Sequence, residues 1–396
     1  MDITIYPRKL RGSLSIIPSK SQAHRILICA AFADKPTQIT CPDTNRDIEA
    51  TAQCLRELGA EIHHTESGYT VYPVVKLPEN AVLPCGESGS TLRFLLPVCG
   101  ALGVDTVFRM EGRLPYRPLS PLWEEMERMG CSLTRPTEDT VRCSGKLRPG
   151  AYSVAGNVSS QYITGLLLAL SLMDSTSTLG ITGKVESRPY ITMTKEILSL
   201  FGTDPERPGK NRLHSPGYID VEGDWSNGAF FLTADLLGSD LTIKGLNFDS
   251  CQGDRAILPL LKQMIAESPT ISAEDIPDLI PVLAVAAANN NGAVFTGIER
   301  LRLKESDRVL STVAMIERLG GSAWATADTL TVKKKMLTGG IVDSFNDHRI
   351  AMAAAVAATV CTSPVTILGA EAVAKSYPRF WEEYVRLGGM YEQHIR

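Results

Sequence analysis

One phrase returns along this chain: an amphipathic helical stretch that closes on Leu, Met or Phe followed by Gly. It reads LRELGAEI around Gly59, MERMGCSL around Gly130, ILSLFGTD around Gly202, IERLGGSA around Gly320 and YVRLGGMY around Gly388. The glycines lie 71, 72, 118 and 68 residues apart, and the long gap holds a weaker copy, LLKQMIAES, without its Gly. Glycine just past the last apolar residue stops a helix, because it enters the left-handed region with no Cβ to clash. After Gly59, Gly130 and Gly320 the sequence alternates around a turn, as EIHHTESGYTVYP, SLTRPTEDTVRCSG and SAWATADTLTVKK, which predicts strand–turn–strand segments.

A second phrase runs in step with the first. A short polar opening leads into a helix that is apolar or small on nearly every side, as a buried helix must be. The copies are SKSQAHRILICAAFA, ESGSTLRFLLPVCGAL, NVSSQYITGLLLALSL, DWSNGAFFLTADLLG, IPDLIPVLAVAAAN and FNDHRIAMAAAVAAT. Six copies in 396 residues make one repeat per 66. That period is long for a solenoid, so the expectation is an α/β fold of six repeats in two groups of three, divided near Gly223–Trp225.

Composition narrows the partners. With 40 Lys and Arg against 44 Asp and Glu the formal charge is −4, and 44% of residues are hydrophobic. This excludes disorder as the main state and argues against nucleic acid as the ligand. No stretch reaches the roughly 18 apolar residues of a membrane span. The opening MDITIYPRKLRGSLSII alternates like a strand and lacks a signal peptide's apolar run, so a cytoplasmic protein is expected. Nine Cys occur without a C-x-x-C pair, which fits free thiols in a reducing compartment rather than zinc or disulfides.

Small anions are the better match. The first N–H groups of a buried helix lack internal partners, and the helix dipole adds partial positive charge there. Ser, Thr, Asp and Asn at such ends are ordinary caps, but cations recur in the same segments: Lys20, Arg25, Arg93 and Arg349. In RLRLKESDRVL, Lys304 and Arg308 are four apart, which predicts one helix face. Helix starts furnished with Arg and Lys suit phosphate and carboxylate. GESGSTLR is neither a P-loop nor a dinucleotide fingerprint, and neither H-E-x-x-H nor G-x-S-x-G is present. His63 and His64 read as surface or structural residues, while His24 and His348 each stand near an Arg at a helix start. Two carboxylates draw notice: Asp278, expected just inside a helix opened by Pro277, and Glu305, set between Lys304 and Arg308.

With these segments in view, PSKSQAHR, GESGSTLR, GRLPYRPL, SSQYITGLLL, ESRPYI, LKESDR, FNDHRIAM and AKSYPRF, in this order across the chain, resemble the 5-enolpyruvylshikimate-3-phosphate (EPSP) synthase family. The resemblance implies two domains, each of three βαβαββ repeats, with helix starts facing an interdomain cleft that holds the active site. The domains would be 14–224, and 1–13 with 225–396. It implies transfer of the enolpyruvyl group of phosphoenolpyruvate to the 5-hydroxyl of shikimate 3-phosphate by a monomer, with neither metal nor organic cofactor. Carried over by position, Lys20, Ser21, Arg25, Ser159, Ser160, Ser187, Tyr190, Asp278 and Lys304 would hold shikimate 3-phosphate. Lys20, Gly89, Arg93, Arg117, Gln161, Arg308, Arg349 and Lys375 would hold phosphoenolpyruvate, with Gly89 as the floor of its pocket. Lys20, Asp278 and Glu305 would be catalytic, with His348 as a further candidate.

Four positions depart from the family pattern: Glu87 and Arg300 stand where Asn is common, Ser90 where Thr is, and Trp225 where a small residue is usual at the expected hinge. The related enzyme acting on UDP-N-acetylglucosamine is the alternative. It carries a catalytic Cys where this chain has GRLPYRPL, and a Lys-Asn pair where this chain has SKSQAHR.

Overall fold

Each apolar phrase forms a buried helix and each amphipathic phrase a half-buried one, in strict alternation. In the computed structural model, which describes residues 1–209 and 212–394, they are α1 (Lys20–Ala31), α2 (Arg46–Glu57), α3 (Gly89–Leu102), α4 (Leu122–Arg128), α5 (Ser160–Ser171), α6 (Arg188–Leu200), α7 (Trp225–Leu236), α8 (Ile257–Ala266), α9 (Ile280–Asn289), α10 (Arg308–Arg318), α11 (His348–Ala358) and α12 (Phe380–Arg386). All eleven residues of α11 are buried. In α2 only Ile48, Thr51, Ala52, Cys54 and Leu55 are, the one-sided stripe of a helix with a wet face. The five repeat glycines all have positive φ, between 75° and 117°, so each ends its helix as the pattern predicts.

The chain divides into an inserted domain, Pro18–Glu222, and a discontinuous one, Met1–Ile17 with Gly223–Arg396. The two passages between them run side by side: Ser19 N–H donates to the Glu222 carbonyl at 2.7 Å, and Asp224 N–H to the Ile17 carbonyl at 2.9 Å. Strand Arg11–Ser15 runs through the expected boundary at residue 13 and pairs along its whole length with Asp240–Lys244 of the discontinuous domain.

Within the inserted domain one sheet has the order Asn80–Gly86, Asp105–Met110, Thr140–Gly145, Cys131–Thr134. The first two strands are parallel, joined across α3, and a hairpin completes the sheet. A second sheet, Tyr218–Asp220, Thr37–Thr40, Gly68–Tyr72, Glu61–Thr65, has the same plan, its first strand supplied from the far end of the domain. Ala151–Ala155 and Thr178–Thr182 form a parallel pair alone. The discontinuous domain repeats this set: Thr270–Ser272, Ala293–Thr296, Thr329–Lys333, Ser322–Ala325; then Gly340–Asp343, Val365–Leu368, Asp2–Tyr6, Met390–His394; and the parallel pair of Arg11–Ser15 with Asp240–Lys244.

Two repeats therefore show no hairpin among the described residues, and their sequences show why. After Gly202 come Pro205, Pro208 and Pro216 in place of alternation, and proline withholds a ladder donor. After α8, Glu267 is already extended, and three residues later the chain is in the strand of the next sheet. Trp225 opens α7 at the expected hinge. It is fully buried, donates Nε1–H to the Asn247 carbonyl at 2.9 Å and meets the Phe248 ring edge-on at 5.5 Å. Among the described residues no helix is long and apolar enough to cross a membrane.

Candidate active site

In the inserted domain the starts of the buried helices are wired together by side chains. Ser88 and Ser159 cap α3 and α5, accepting from Thr91 N–H and Gln161 N–H. Gln161 joins the two helices: its Oε1 accepts from Arg93 Nη1 at 3.0 Å, and its Nε2 donates to Ser90 Oγ at 3.0 Å. Arg93 also donates Nη2–H to the Pro118 carbonyl at 3.1 Å. Gly89 opens α3 beneath these cations, and a Cβ there would lie 2.5 Å from Arg93 Nη1 and 2.8 Å from Arg117 Nη1. The missing side chain is what allows two guanidinium groups to crowd one helix start.

Lys20, the first residue of α1, pairs with Asp47 Oδ2 at 2.8 Å. Arg25 is 2% exposed. It donates to Thr194 Oγ1 at 2.8 Å, the Ser21 carbonyl at 2.5 Å, and Thr164 Oγ1 and the Tyr190 carbonyl at 3.1 Å each, with its guanidinium 4.9 Å over the Phe94 ring. It thus fastens α1 to α5 and α6, a structural duty the sequence did not suggest. Ser187 stands at the N-cap position of α6 with φ of 54°, left-handed for a non-glycine residue and buried; strain of this kind gathers at functional sites. His24 lies behind the layer, 2.7 Å from Thr51 Oγ1. Burial first, then the charges of Lys20 and Arg25, hold its pKa well below the usual imidazole value, so it is a neutral core residue. His63 is on the surface beside Glu61.

The discontinuous domain builds its cluster around one carboxylate. Asp278 accepts from Arg308 Nη1 at 2.7 Å and Arg349 Nη2 at 3.3 Å, and Lys304 Nζ stands 4.0 Å away. Arg308 also binds Glu305 Oε2 at 2.7 Å and Asp347 Oδ2 at 3.0 Å. Burial alone would raise the Asp278 pKa, but the charges of Arg349, Lys304 and Arg308 outweigh it and hold the group ionised, well below the ordinary carboxylate range. Burial brings Lys304 down to about 8, with Asp278 opposing. Lys375 Nζ donates to the Asn346 carbonyl at 2.8 Å. Phe345 and Asn346 both have positive φ (52° and 54°) immediately before Asp347, which caps α11 through Arg349 N–H.

Two sequence expectations are corrected here. Asp278 is not inside a helix: Ile276–Leu279 forms a turn and α9 begins at Ile280, with Pro281 in its first turn. Lys304 and Arg308 share no helix face, because Glu299–Leu303 is a separate 3-10 turn and Asp307 caps a new helix by accepting from Leu310 N–H. They approach each other through Asp278 instead. Asp347, fully buried beneath Arg308, was not singled out beforehand; an Asp just before two basic residues at a helix start was its signal.

Parallel strands crossed by buried helices, with arginines gathered at the helix starts, make an α/β fold of the enolpyruvyl transferase type. It overlays the enolpyruvyl transferase NikO from Streptomyces tendae with a TM-score of 0.76 at 18% identity, over 100% of this chain and 99% of that one. The sequence model for EPSP synthase (3-phosphoshikimate 1-carboxyvinyltransferase) matches residues 5–384, and the chain belongs to that family. Similar proteins include the 3-phosphoshikimate 1-carboxyvinyltransferases of Clostridium novyi, 38% identical over 99% of this chain and 98% of that one, and of Clostridium kluyveri, 38% identical over 98% and 97%. An EPSP synthase structure from Acinetobacter baumannii overlays with a TM-score of 0.80 at 25% identity, covering 99% of this chain and all of that one.

Proposed function

We propose that this chain transfers the enolpyruvyl group of phosphoenolpyruvate to the 5-hydroxyl of shikimate 3-phosphate, releasing phosphate. The observation that carries the reading is Asp278, one carboxylate held ionised by Arg349, Lys304 and Arg308 beside a second carboxylate, Glu305. Substrates bearing phosphate and carboxylate need charge-assisted donors. Shikimate 3-phosphate is met by Lys20, Ser21, Arg25, Ser159, Ser160, Ser187, Tyr190 and Lys304. Phosphoenolpyruvate is met by Lys20, Arg93, Arg117, Gln161, Arg308, Arg349 and Lys375 over Gly89.

The chemistry needs a proton taken from the 5-hydroxyl and one given to the methylene carbon of phosphoenolpyruvate. Addition forms a tetrahedral ketal phosphate; phosphate then leaves as the methyl carbon returns a proton. Asp278, which holds no proton of its own, takes the 5-hydroxyl proton as that oxygen bonds to the enol carbon, and passes the same proton to the phosphate as it departs. Glu305 exchanges the proton at carbon, with Lys20 assisting. The surrounding guanidinium groups stabilise charge building on the departing phosphate. The protein works as a cytoplasmic monomer without metal or organic cofactor, and sedimentation at the mass of one chain checks the first point.

The test is phosphate release by the purified chain from phosphoenolpyruvate with shikimate 3-phosphate. Release that requires shikimate 3-phosphate is expected. Release with UDP-N-acetylglucosamine instead would assign the related reaction.

A further inference from the structure

Next to the Asp278 cluster, and used by no step above, lies another buried carboxyl. Asp254 sits in the 3-10 turn Gly253–Ala256 that leads into α8 and is 3% exposed. Its Oδ2 takes the hydroxyl of Ser226, from the first turn of α7, in a very short hydrogen bond. Its Oδ1 is buried with no hydrogen-bond partner among the described residues.

The charged groups acting on it are Asp278, Arg349 and Asp224. The turn packs on α7, which presents Ser226 and the capping Asp224, and on the opening of α8, Ile257 to Leu260, where nothing titrates. The neighbouring Arg255 turns outward to the Phe248 carbonyl. Burial and then the Asp278 charge raise the Asp254 pKa to about 7, while the Ser226 hydroxyl and Arg349 oppose the rise.

Arg349 has matching unsatisfied donors. Its Nε and Nη1 are buried without partners among the described residues. Among the described residues Nη2 has only the 3.3 Å contact with Asp278, a carboxylate already shared with Arg308 at 2.7 Å. The guanidinium lies 5.9 Å from the centre of the Phe230 ring, near the outer limit of a cation–π contact.

We propose that Asp254 is a positioning residue for Arg349: as a neutral acid it leaves the guanidinium to the anionic substrate, and as a carboxylate it draws Arg349 into a pair of its own. This rests on Arg349 contacting phosphoenolpyruvate, as proposed above. Rising pH ionises Asp254, turns Arg349 inward and weakens capture of phosphoenolpyruvate, with much less effect on the chemical step.

The test is the KM for phosphoenolpyruvate of the full-length enzyme and of Asp254→Asn across neutral pH. The substrate's own ionisation is common to both and cancels in their ratio. If only the neutral form binds, the wild-type KM should rise about 30-fold from about pH 6 to about pH 8.5 relative to the variant, with kcat nearly level. Ser226→Ala removes the hydroxyl that favours the charged form, so it should move the rise to higher pH. That variant decides the matter if Asp254→Asn does not fold. Parallel KM profiles in active enzymes, a change confined to kcat, or no displacement in Ser226→Ala would overturn the inference while leaving the proposed reaction intact. A wild type that releases no phosphate from phosphoenolpyruvate and shikimate 3-phosphate would remove both.

Discussion

Asp278 shows how surroundings decide what a side chain can do. Three cations share it, and a carboxylate so placed can accept a proton but holds none of its own to give. Replacing it by Ala should lower kcat by about 100-fold to 10,000-fold, the range for loss of a positioned acid or base, while shikimate 3-phosphate binding by calorimetry falls much less. Equal losses in both would make it a binding residue only. Arg308 keeps Glu305 and Asp347 in that variant, so the cluster retains two of its ion pairs. Lys20, Arg93 and Arg349 could be picked out from their place in the repeat, because charge recurring at the start of an apolar helix is a pattern in one dimension. Asp254 could not. In SCQGDRAIL it reads as a polar loop residue, and only the packing of α7 and α8 buries it.

At the scale of elements, close helix crossing sets the geometry on which the cations depend. α3 and α5 meet at Gly165, where a Cβ would come within 2.2 Å of the Arg93 carbonyl oxygen and 2.8 Å of Pro97 Cγ. Gly165→Ala must therefore push the helices apart. Overpacking of this kind costs about 1–3 kcal/mol, and a domain of this size should melt several degrees lower in calorimetry, about 2–4 °C for each kcal/mol. Unchanged melting would mean that the helices slide without strain. The six helix pairs were legible in the sequence because burial on all sides and burial on one side leave different spacings. Helix starts were less so: Pro277 suggested a first turn that begins at Ile280, and the run from Lys304 to Arg308 hid a break at Asp307. In each case a local turn or cap outcompeted the helical spacing, and neither interrupts the apolar pattern that follows.

At the scale of the whole molecule, the inserted domain holds its own sheets and its own buried helices between two adjacent passages of chain. A fragment spanning 18–222 should fold alone and unfold in one cooperative transition followed by circular dichroism; a broad, featureless melt would show that it leans on the remainder. The discontinuous domain has no such independence. Its strand Asp2–Tyr6 lies between Val365–Leu368 and Met390–His394, antiparallel to both, with Ile3 and Ile5 fully buried. A ribosome making about 5–20 residues per second finishes the inserted domain well before that strand's partners emerge, and the delay is on the order of tens of seconds. Throughout that time the apolar edge of Asp2–Tyr6 has no sheet to enter, so chaperone occupancy on the growing chain should persist past residue 222 and end only as the final strands leave the exit tunnel.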